Sequence, residues 1–122
     1  MAAPPSPRLV MPDSFLEAVR QGYTERIAEW LEGGYSKLNY QEASTGMTAL
    51  HYAAARNAVP IIKLLLRTGK CDARIRDHKG RTAATLAIEV ADNPVLGRYL
   101  YDLQYKQIDA RQPDQNAGRR AR

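Results

Sequence analysis

A nine-residue stretch near the middle of the chain, GMTALHYAA at positions 46–54, returns in altered form before and after itself at nearly constant spacing. Gly46 and Thr48 recur 34 residues later as Gly80 and Thr82. A period of this length predicts a stack of repeated units, because one such unit cannot bury its apolar stripe alone. Further residues keep a spacing of 34 or 35: Ala53 with Ala87, Leu66 with Leu100, Ile27 with Ile62, and Gly34 with Gly69.

The central stretch resembles one ankyrin repeat, whose family motif is G-x-T-P-L-H-x-A-A followed by a second helix that ends in paired Leu and a Gly. Gly46, Thr48, Leu50 and His51 occupy motif positions, and Ala49 stands where the family has Pro. The resemblance implies an all-α fold, an ankyrin-repeat solenoid of about three helix-turn-helix repeats with β-hairpin-like fingers.

The outer copies depart from the motif, as the caps of a short array should. The third copy has Ala84 and Thr85 in place of Leu-His, and the first lacks the Gly-x-Thr opening. We therefore predict an N-terminal cap, one full repeat and a C-terminal cap, which is close to the minimum for a stable array. The predicted units are a disordered lead at 1–12, an ankyrin-repeat domain at 13–108 with repeats at about 13–45, 46–79 and 80–108, and a disordered basic tail at 109–122.

Helix-capping and helix-breaking residues predict where six helices lie. Ser14 and Glu17 have the spacing of a capping box that opens the first helix. Pro60 and Pro94 fall in the first turns of later helices, where the missing amide would have no partner anyway. The predicted first helices of the repeats are 15–21, 49–56 and 83–90, the second helices are 25–32, 60–67 and 94 to about 105, and the fingers are 35–46 and 70–81.

The net charge of +5 is concentrated in two segments of the chain. Residues 41–80 carry seven Lys or Arg against three Asp or Glu, and residues 111–122 carry four against one. A local basic cluster can steer an acidic partner, although charged loops also serve simply to keep a surface hydrated. The cluster in the second finger consists of Lys70, Arg74, Arg76, Lys79 and Arg81, opposed by Asp72 and Asp77.

The sequence offers no constellation of residues for catalysis or for holding a metal or cofactor. In the family that the chain resembles, His51 is a scaffold residue that hydrogen-bonds between neighbouring loops, while Thr48 caps the helix. Cys71 and His78 would supply at most two ligands, whereas zinc takes three or four. We therefore expect no enzyme activity, no metal and no cofactor.

Composition also bounds where the protein works and in what form. No apolar run approaches the roughly 18 residues of a membrane span, and the N-terminus lacks the apolar block of a secretion signal. The single Cys71 favours a reducing compartment, so we expect a cytoplasmic protein. The arginine-rich end at 119–122 has no interleaved aromatic residues, so we expect no nucleic-acid binding. We favour a monomer.

The resemblance implies a non-enzymatic module that binds a protein partner, here of acidic character, on the concave face formed by the fingers and the exposed sides of the first helices. Tyr52 and Arg56 are the strongest candidate anchors, because they are central, belong to residue types enriched in hot spots, and lie one helical turn apart. The predicted partner-binding residues are Tyr52, Arg56, Arg20, Glu89, Arg74, Arg76, Lys79 and Arg81.

Two other functions stay open for the same framework. A three-repeat array exposes its ends, so the convex face or an imperfect C-terminal cap could make it a structural or self-associating assembly unit. Tyr99, Tyr101 and Tyr105 in the last helix suit either a partner-binding stripe or the amphipathic cover of a capping helix. Ankyrin arrays also serve as bacterial effector-type adaptors, and framework residues do not distinguish these roles.

Overall fold

Six helices follow one another along the chain in the computed structural model, which describes residues 12–111. Their bounds are α1 Pro12–Gln21, α2 Thr24–Glu32, α3 Ala49–Ala55, α4 Val59–Arg67, α5 Ala83–Glu89 and α6 Pro94–Arg111. The first helices of the three pairs, α1, α3 and α5, pack side by side, while α2 packs on α4 and α6 packs on α5. Within these residues there is no strand, and no helix is both long and apolar enough to cross a membrane. The predicted all-α solenoid of three helix pairs is confirmed.

Most helix ends lie within one residue of their predicted positions, and the start of α1 is an exception. Pro12, the first residue that the structure describes, is already helical, so this helix starts at least three residues before the predicted position. Ser14 therefore lies inside the helix, and the predicted capping box with Glu17 is wrong. The Glu17 carboxylate instead accepts hydrogen bonds from Arg20 and Gln21.

The other exception is α6, which is longer than predicted because no helix-breaking residue follows Tyr105 until Pro113. The helix continues to Arg111, the last residue that the structure describes. Residues 109–111, which belong to the predicted tail, are helical. The rest of that tail and the predicted disordered lead lie outside the described residues, except for Pro12.

The turn that joins the two helices of each pair depends on one residue with positive φ. Gly22, Asn57 and Asp92 have φ values of 78°, 59° and 54° and recur every 35 residues. Glycine adopts this conformation freely, and Asn and Asp are among the few other residues that adopt it readily. Each turn therefore reverses the chain at the same place in its repeat. Asn93 Nδ2 donates to Asn57 Oδ1 at 2.8 Å and ties the second turn to the third.

The core is made of small residues where the first helices meet and of aromatic residues at its N-terminal end. Ala53 in α3 and Ala87 in α5 are completely buried, so the backbones of these helices approach one another closely. The ring of Phe15 stacks on Tyr35 with 4.4 Å between centroids and lies 5.7 Å from the ring of Trp30. Burial in this cluster raises the pKa of Tyr35 to about 12.

A capping box opens α3 and extends to the next repeat through His51. The Thr48 hydroxyl accepts from the His51 amide at 3.3 Å, and the Thr48 amide donates to His51 Nδ1 at 3.1 Å. Because Nδ1 accepts, the ring proton is on Nε2, which donates to the Arg81 carbonyl oxygen at 2.9 Å. One neutral imidazole thus closes the start of a helix and links two repeats, which is the scaffold role predicted for it.

The two fingers, residues 35–46 and 70–81, are closed by backbone hydrogen bonds but form no strand. The Glu42 amide donates to the Met47 carbonyl oxygen at 2.9 Å in the first finger, and the Asp77 amide donates to the Arg81 carbonyl oxygen at 2.9 Å in the second. The fingers are joined to each other because the His78 amide donates to the Thr45 carbonyl oxygen at 3.0 Å.

Two side-chain amides hold the base of the second finger from the repeats on either side of it. One belongs to Asn39 in the first finger, and the other belongs to Gln107 in α6. Each amide both donates to and accepts from the finger backbone, so the extended α6 supplies from a helix the same clamp that the first finger supplies from a loop. The four bonds are Asn39 Nδ2 to the Lys70 oxygen (3.0 Å), the Asp72 amide to Asn39 Oδ1 (2.8 Å), Gln107 Nε2 to the Cys71 oxygen (2.7 Å), and the Ala73 amide to Gln107 Oε1 (2.7 Å).

Replacement of His51 tests the link between repeats. We expect His51→Ala to lower the free energy of unfolding by about 1–3 kcal/mol, because the buried Thr48 amide loses its partner and the Arg81 carbonyl oxygen loses one of its two. Burial lowers the pKa of His51, so the folded state favours the neutral ring. The stability that follows from this preference is present above the unfolded-state pKa of about 6.5 and is lost as the pH falls below it.

Thermal unfolding of the wild type between about pH 7.5 and about pH 5 should therefore show a falling Tm, and His51→Ala should remove most of that fall. The control is His78→Ala, which replaces an exposed histidine and should keep the wild-type dependence on pH. An equal fall in the wild type and in His51→Ala would contradict the neutral imidazole.

Gly46 allows the two fingers to approach, and its replacement has a matched control at Gly80. Both residues have positive φ, 74° and 78°, so alanine is strained at either. A Cβ at Gly46 would also lie 2.8 Å from the backbone nitrogen of His78, whereas a Cβ at Gly80 would meet no atom within 4 Å. In urea unfolding, Gly80→Ala should cost about 1 kcal/mol, and Gly46→Ala should cost clearly more. Equal losses would show that the contact between the fingers is not close.

Candidate partner-binding surface

The first helices and the two fingers together form one surface, which we call the finger face: α1, α3, α5 and residues 35–46 and 70–81. All eight residues predicted to bind a partner belong to these elements or to their ends. Arg20 is in α1, Tyr52 is in α3 with Arg56 directly after it, and Glu89 ends α5. The other four are Arg74, Arg76, Lys79 and Arg81 in and beside the second finger.

A cluster of side chains around Tyr52 ties α1 to α3 and to the first finger. The Arg20 guanidinium lies 4.9 Å from the centre of the Tyr52 ring and pairs with Glu42 at 3.1 Å and with Glu17 at 2.7 Å. The Tyr52 hydroxyl donates to the Glu42 carboxylate and lies 3.1 Å from the Thr45 hydroxyl. The cluster therefore joins a cation, an aromatic ring and a carboxylate across two repeats.

The contacts of Tyr52 restrict what it can offer a partner. The residue is half-buried, and burial together with its bond to Glu42 raises the pKa of the phenol. Its hydroxyl is already bonded within the chain, so a partner would not meet a free hydroxyl. Glu42 was missed in the sequence because no repeat motif or spacing marks a carboxylate in a finger.

Arg56 and Glu89 lie at the C-terminal ends of the first helices and are more accessible. Arg56 is exposed, and its guanidinium donates to the carbonyl oxygen of Arg20 beside the turn at Gly22. Glu89 is exposed at the end of α5. The predicted anchor pair of Tyr52 and Arg56 thus consists of one half-buried and one exposed side chain on neighbouring turns.

The tip of the second finger is built around Asp77, whose side chain is only 1% exposed. Its carboxylate accepts from the amides of Lys79 and Arg81, each at 2.9 Å, and from the Arg81 guanidinium at 2.9 Å. Burial by itself raises the pKa of Asp77, but the hydrogen bonds from Arg81 and Lys79 outweigh it, and the pKa is lowered. The carboxylate that looked in the sequence like a counter-charge is the structural centre of the turn.

The four predicted basic residues of this finger fall into two groups. Arg81 is held by Asp77, and Arg74 forms a paired contact with Asp72, in which Nε and Nη2 donate at 2.9 Å and 2.8 Å. Arg76 and Lys79 are exposed and make no ion pair with any residue from 12 to 108, although Arg76 donates to the carbonyl oxygen of Gly80 at 2.8 Å. Two of the four cations therefore remain available to a partner.

The thiol of Cys71 belongs to the interior and not to the finger face. It is buried and donates to the Leu65 carbonyl oxygen at 3.4 Å, and burial raises its pKa to about 12. The thiolate form that acts as a nucleophile or metal ligand is thereby disfavoured. Within the described part of the chain, no group of three His, Cys, Asp or Glu residues is placed to hold a metal ion.

Replacement of Asp77 tests whether the second finger is fixed by its carboxylate. Asp77→Asn should lower the free energy of unfolding in urea by about 1–3 kcal/mol, because a buried acceptor of several hydrogen bonds loses its charge. Asp72→Asn is the control, since its more exposed pair with Arg74 should be worth less than about 1 kcal/mol. Because the pKa of Asp77 is lowered, its contribution is present above the unfolded-state value of about 3.9 and is lost at lower pH. Equal losses for the two variants would contradict the central role of Asp77.

Comparison with known proteins agrees with this geometry. Residues 15–113 match the family model for ankyrin repeats (3 copies). The chain is 31% identical over 108 residues to protein phosphatase 1 regulatory subunit 12A of mouse, human and rat. These alignments cover 65% of this chain but only 10% of each relative, so the chain corresponds to a small part of those proteins.

The matched family region includes all six helices from the first turn of α1 onward and both fingers. The three helix pairs correspond to the three copies of that family model. The chain belongs to the ankyrin-repeat family.

Proposed function

We propose that this chain is a non-enzymatic protein–protein interaction module that binds an acidic protein partner on its finger face. The observation that carries the proposal is the second finger, whose backbone is fixed by Asp77, Asn39 and Gln107 while Arg76 and Lys79 stay exposed and outside any described ion pair. A surface that is already ordered loses little conformational entropy on binding, so its contacts contribute more fully to affinity.

The remaining predicted residues would have graded roles in this interaction. Arg56 and Glu89 are exposed and could contact the partner directly, whereas Arg20 and Tyr52 would act mainly by holding the surface in shape. Arg74 and Arg81 are paired with neighbouring carboxylates, so they would contribute to the positive field of the finger more than to new ion pairs.

The relatives indicate a first partner to test. They are regulatory subunits of protein phosphatase 1 by name. A binding role of this kind needs no catalytic residues. This agrees with the structural hydrogen bonds that the buried His51 and Cys71 make. Its buried reduced thiol supports a cytoplasmic location. A structural, self-associating unit and an effector-type adaptor are the alternatives.

Charge reversal on the finger tests the proposed function. Arg76→Glu with Lys79→Glu should slow association with the partner by about tenfold or more and flatten its dependence on salt, since the attraction acts mainly on the encounter. The control is Lys63→Glu with Arg67→Glu, which makes the same change of charge on the exposed side of α4. Purified protein phosphatase 1 is the first probe, by surface plasmon resonance, followed by proteins captured from a cell extract and identified by mass spectrometry.

A captured protein is a partner of the finger face if it binds the control variant, Lys63→Glu with Arg67→Glu, but no longer binds the finger variant, Arg76→Glu with Lys79→Glu. Stability of both variants should stay within about 0.5 kcal/mol of the wild type, because isolated surface charges contribute little to folding. If every captured protein binds both variants equally at low and high salt, the basic finger is only a hydrated loop and the proposal fails. Sedimentation of the purified protein separates a monomeric module from a self-associating unit.

A further inference from the structure

A second surface lies on the second helices, where α4 and α6 leave a groove between them. The helix α2 covers one side of α4, but α6 packs mainly on α5 and does not close over the other side. The open groove has a volume of about 620 Å³, within the range of pockets that hold ligands. Its apolar lining comes from Val59, Ile62, Leu66, Val95, Leu96 and Tyr99.

The α6 wall of this groove exposes two large side chains that are mainly apolar. Val95 is 80% exposed and Tyr99 is 56% exposed, and the two lie one helical turn apart on the same side of α6. Contiguous exposed apolar surface that is bordered by polar residues often marks an interaction site. The finger face does not include these residues, so the function proposed above leaves them unexplained.

The α4 wall of the groove carries positive charge. Lys63 and Arg67 are exposed, line the groove and are also one helical turn apart. No carboxylate of the described residues lies within ion-pair distance of either cation. The groove therefore has an apolar floor, one apolar wall and one basic wall. On each wall the two exposed side chains lie one helical turn apart.

We propose that this groove binds an amphipathic helix of another protein, with its apolar side against α6 and its Asp or Glu residues facing Lys63 and Arg67. An amphipathic helix suits the groove because it presents an apolar side and an acidic side at once, which complement the α6 wall and the basic α4 wall. A helix laid in a groove between two helices is also an established mode of peptide recognition.

The chain itself offers no suitable occupant. Residues 1–11 contain Arg8 and no acidic residue, and residues 112–122 contain three Arg and one Asp, so both ends would bring positive charge to a basic wall. The exposed acidic residues of α2 could meet that wall from a second copy. However, α2 buries its apolar side in its own core through Ile27 and Trp30, so it has no apolar side to place in the groove.

The test is selection from a phage-displayed library of random peptides of about sixteen residues, enough for about four helical turns. The full chain is immobilised, and enriched peptides are measured by fluorescence anisotropy. We expect enriched sequences with aliphatic or aromatic residues at i, i+3 or i+4, and i+7, with Asp or Glu beside them. Lys63→Glu with Arg67→Glu should weaken their binding at least about tenfold. The matched control, Arg76→Glu with Lys79→Glu, should leave it within about twofold.

Val95→Asp tests the apolar wall with little effect on folding, because an acidic residue is favourable in the first turn of a helix. It should weaken binding of the same peptides at least about tenfold, while circular dichroism shows the wild-type helix content. The proposal is overturned if no peptide is enriched, or if the enriched peptides are acid-free or insensitive to both groove variants. It is also overturned if sedimentation shows a dimer that Val95→Asp dissociates, since the occupant would then be a second copy. None of these results depends on the finger face.

Discussion

The His51 imidazole lies where three parts of the array meet, and the order of the finger face depends on it. Through its two nitrogens the ring closes the start of α3 at Thr48 and holds the carbonyl oxygen of Arg81. Arg81 in turn is bound by the buried carboxylate of Asp77, which organises the tip of the second finger. A continuous series of hydrogen bonds therefore runs from the interior of one repeat to the tip of the basic second finger.

Side-chain hydrogen bonds of this kind show how a small array can fix its loops without a β-sheet. Within the described residues the fingers contain no strand, so few backbone hydrogen bonds hold them. Side chains take over that role: Asn39 and Gln107 grip the base of the second finger from both neighbouring repeats. Since α6 provides one of these amides, the long last helix is part of what orders the finger as well as a cover for the core.

Charge on this chain is divided between structure and recognition. Arg20, Arg74 and Arg81 are each held by a carboxylate, whereas Arg76 and Lys79 on the finger and the cations of the α4 wall are not paired within the described residues. Paired cations stabilise the surface that carries them, and unpaired cations can attract a partner. The two unpaired groups lie on different surfaces, so each proposed binding surface has its own pair of unpaired cations.

The repeat and most of the helix bounds could be predicted from the sequence, because these depend on local chemistry. Positions such as Thr48 and Pro94 act within one turn of where they stand, and the apolar period of 34 or 35 residues fixes what each helix must bury. Local signals were misleading at Ser14, because a helix start was predicted there and the helix already includes Pro12.

Which candidate site residues are free depends on tertiary contacts. Tyr52 is bound to Glu42, and Arg81 to Asp77, through contacts made by loops whose path no periodic pattern encodes. The groove beside α4 could not be foreseen either, because it arises from the way α6 packs on α5. Helices follow from interactions between near neighbours in the chain, whereas the availability of a surface side chain depends on distant segments that fold against it.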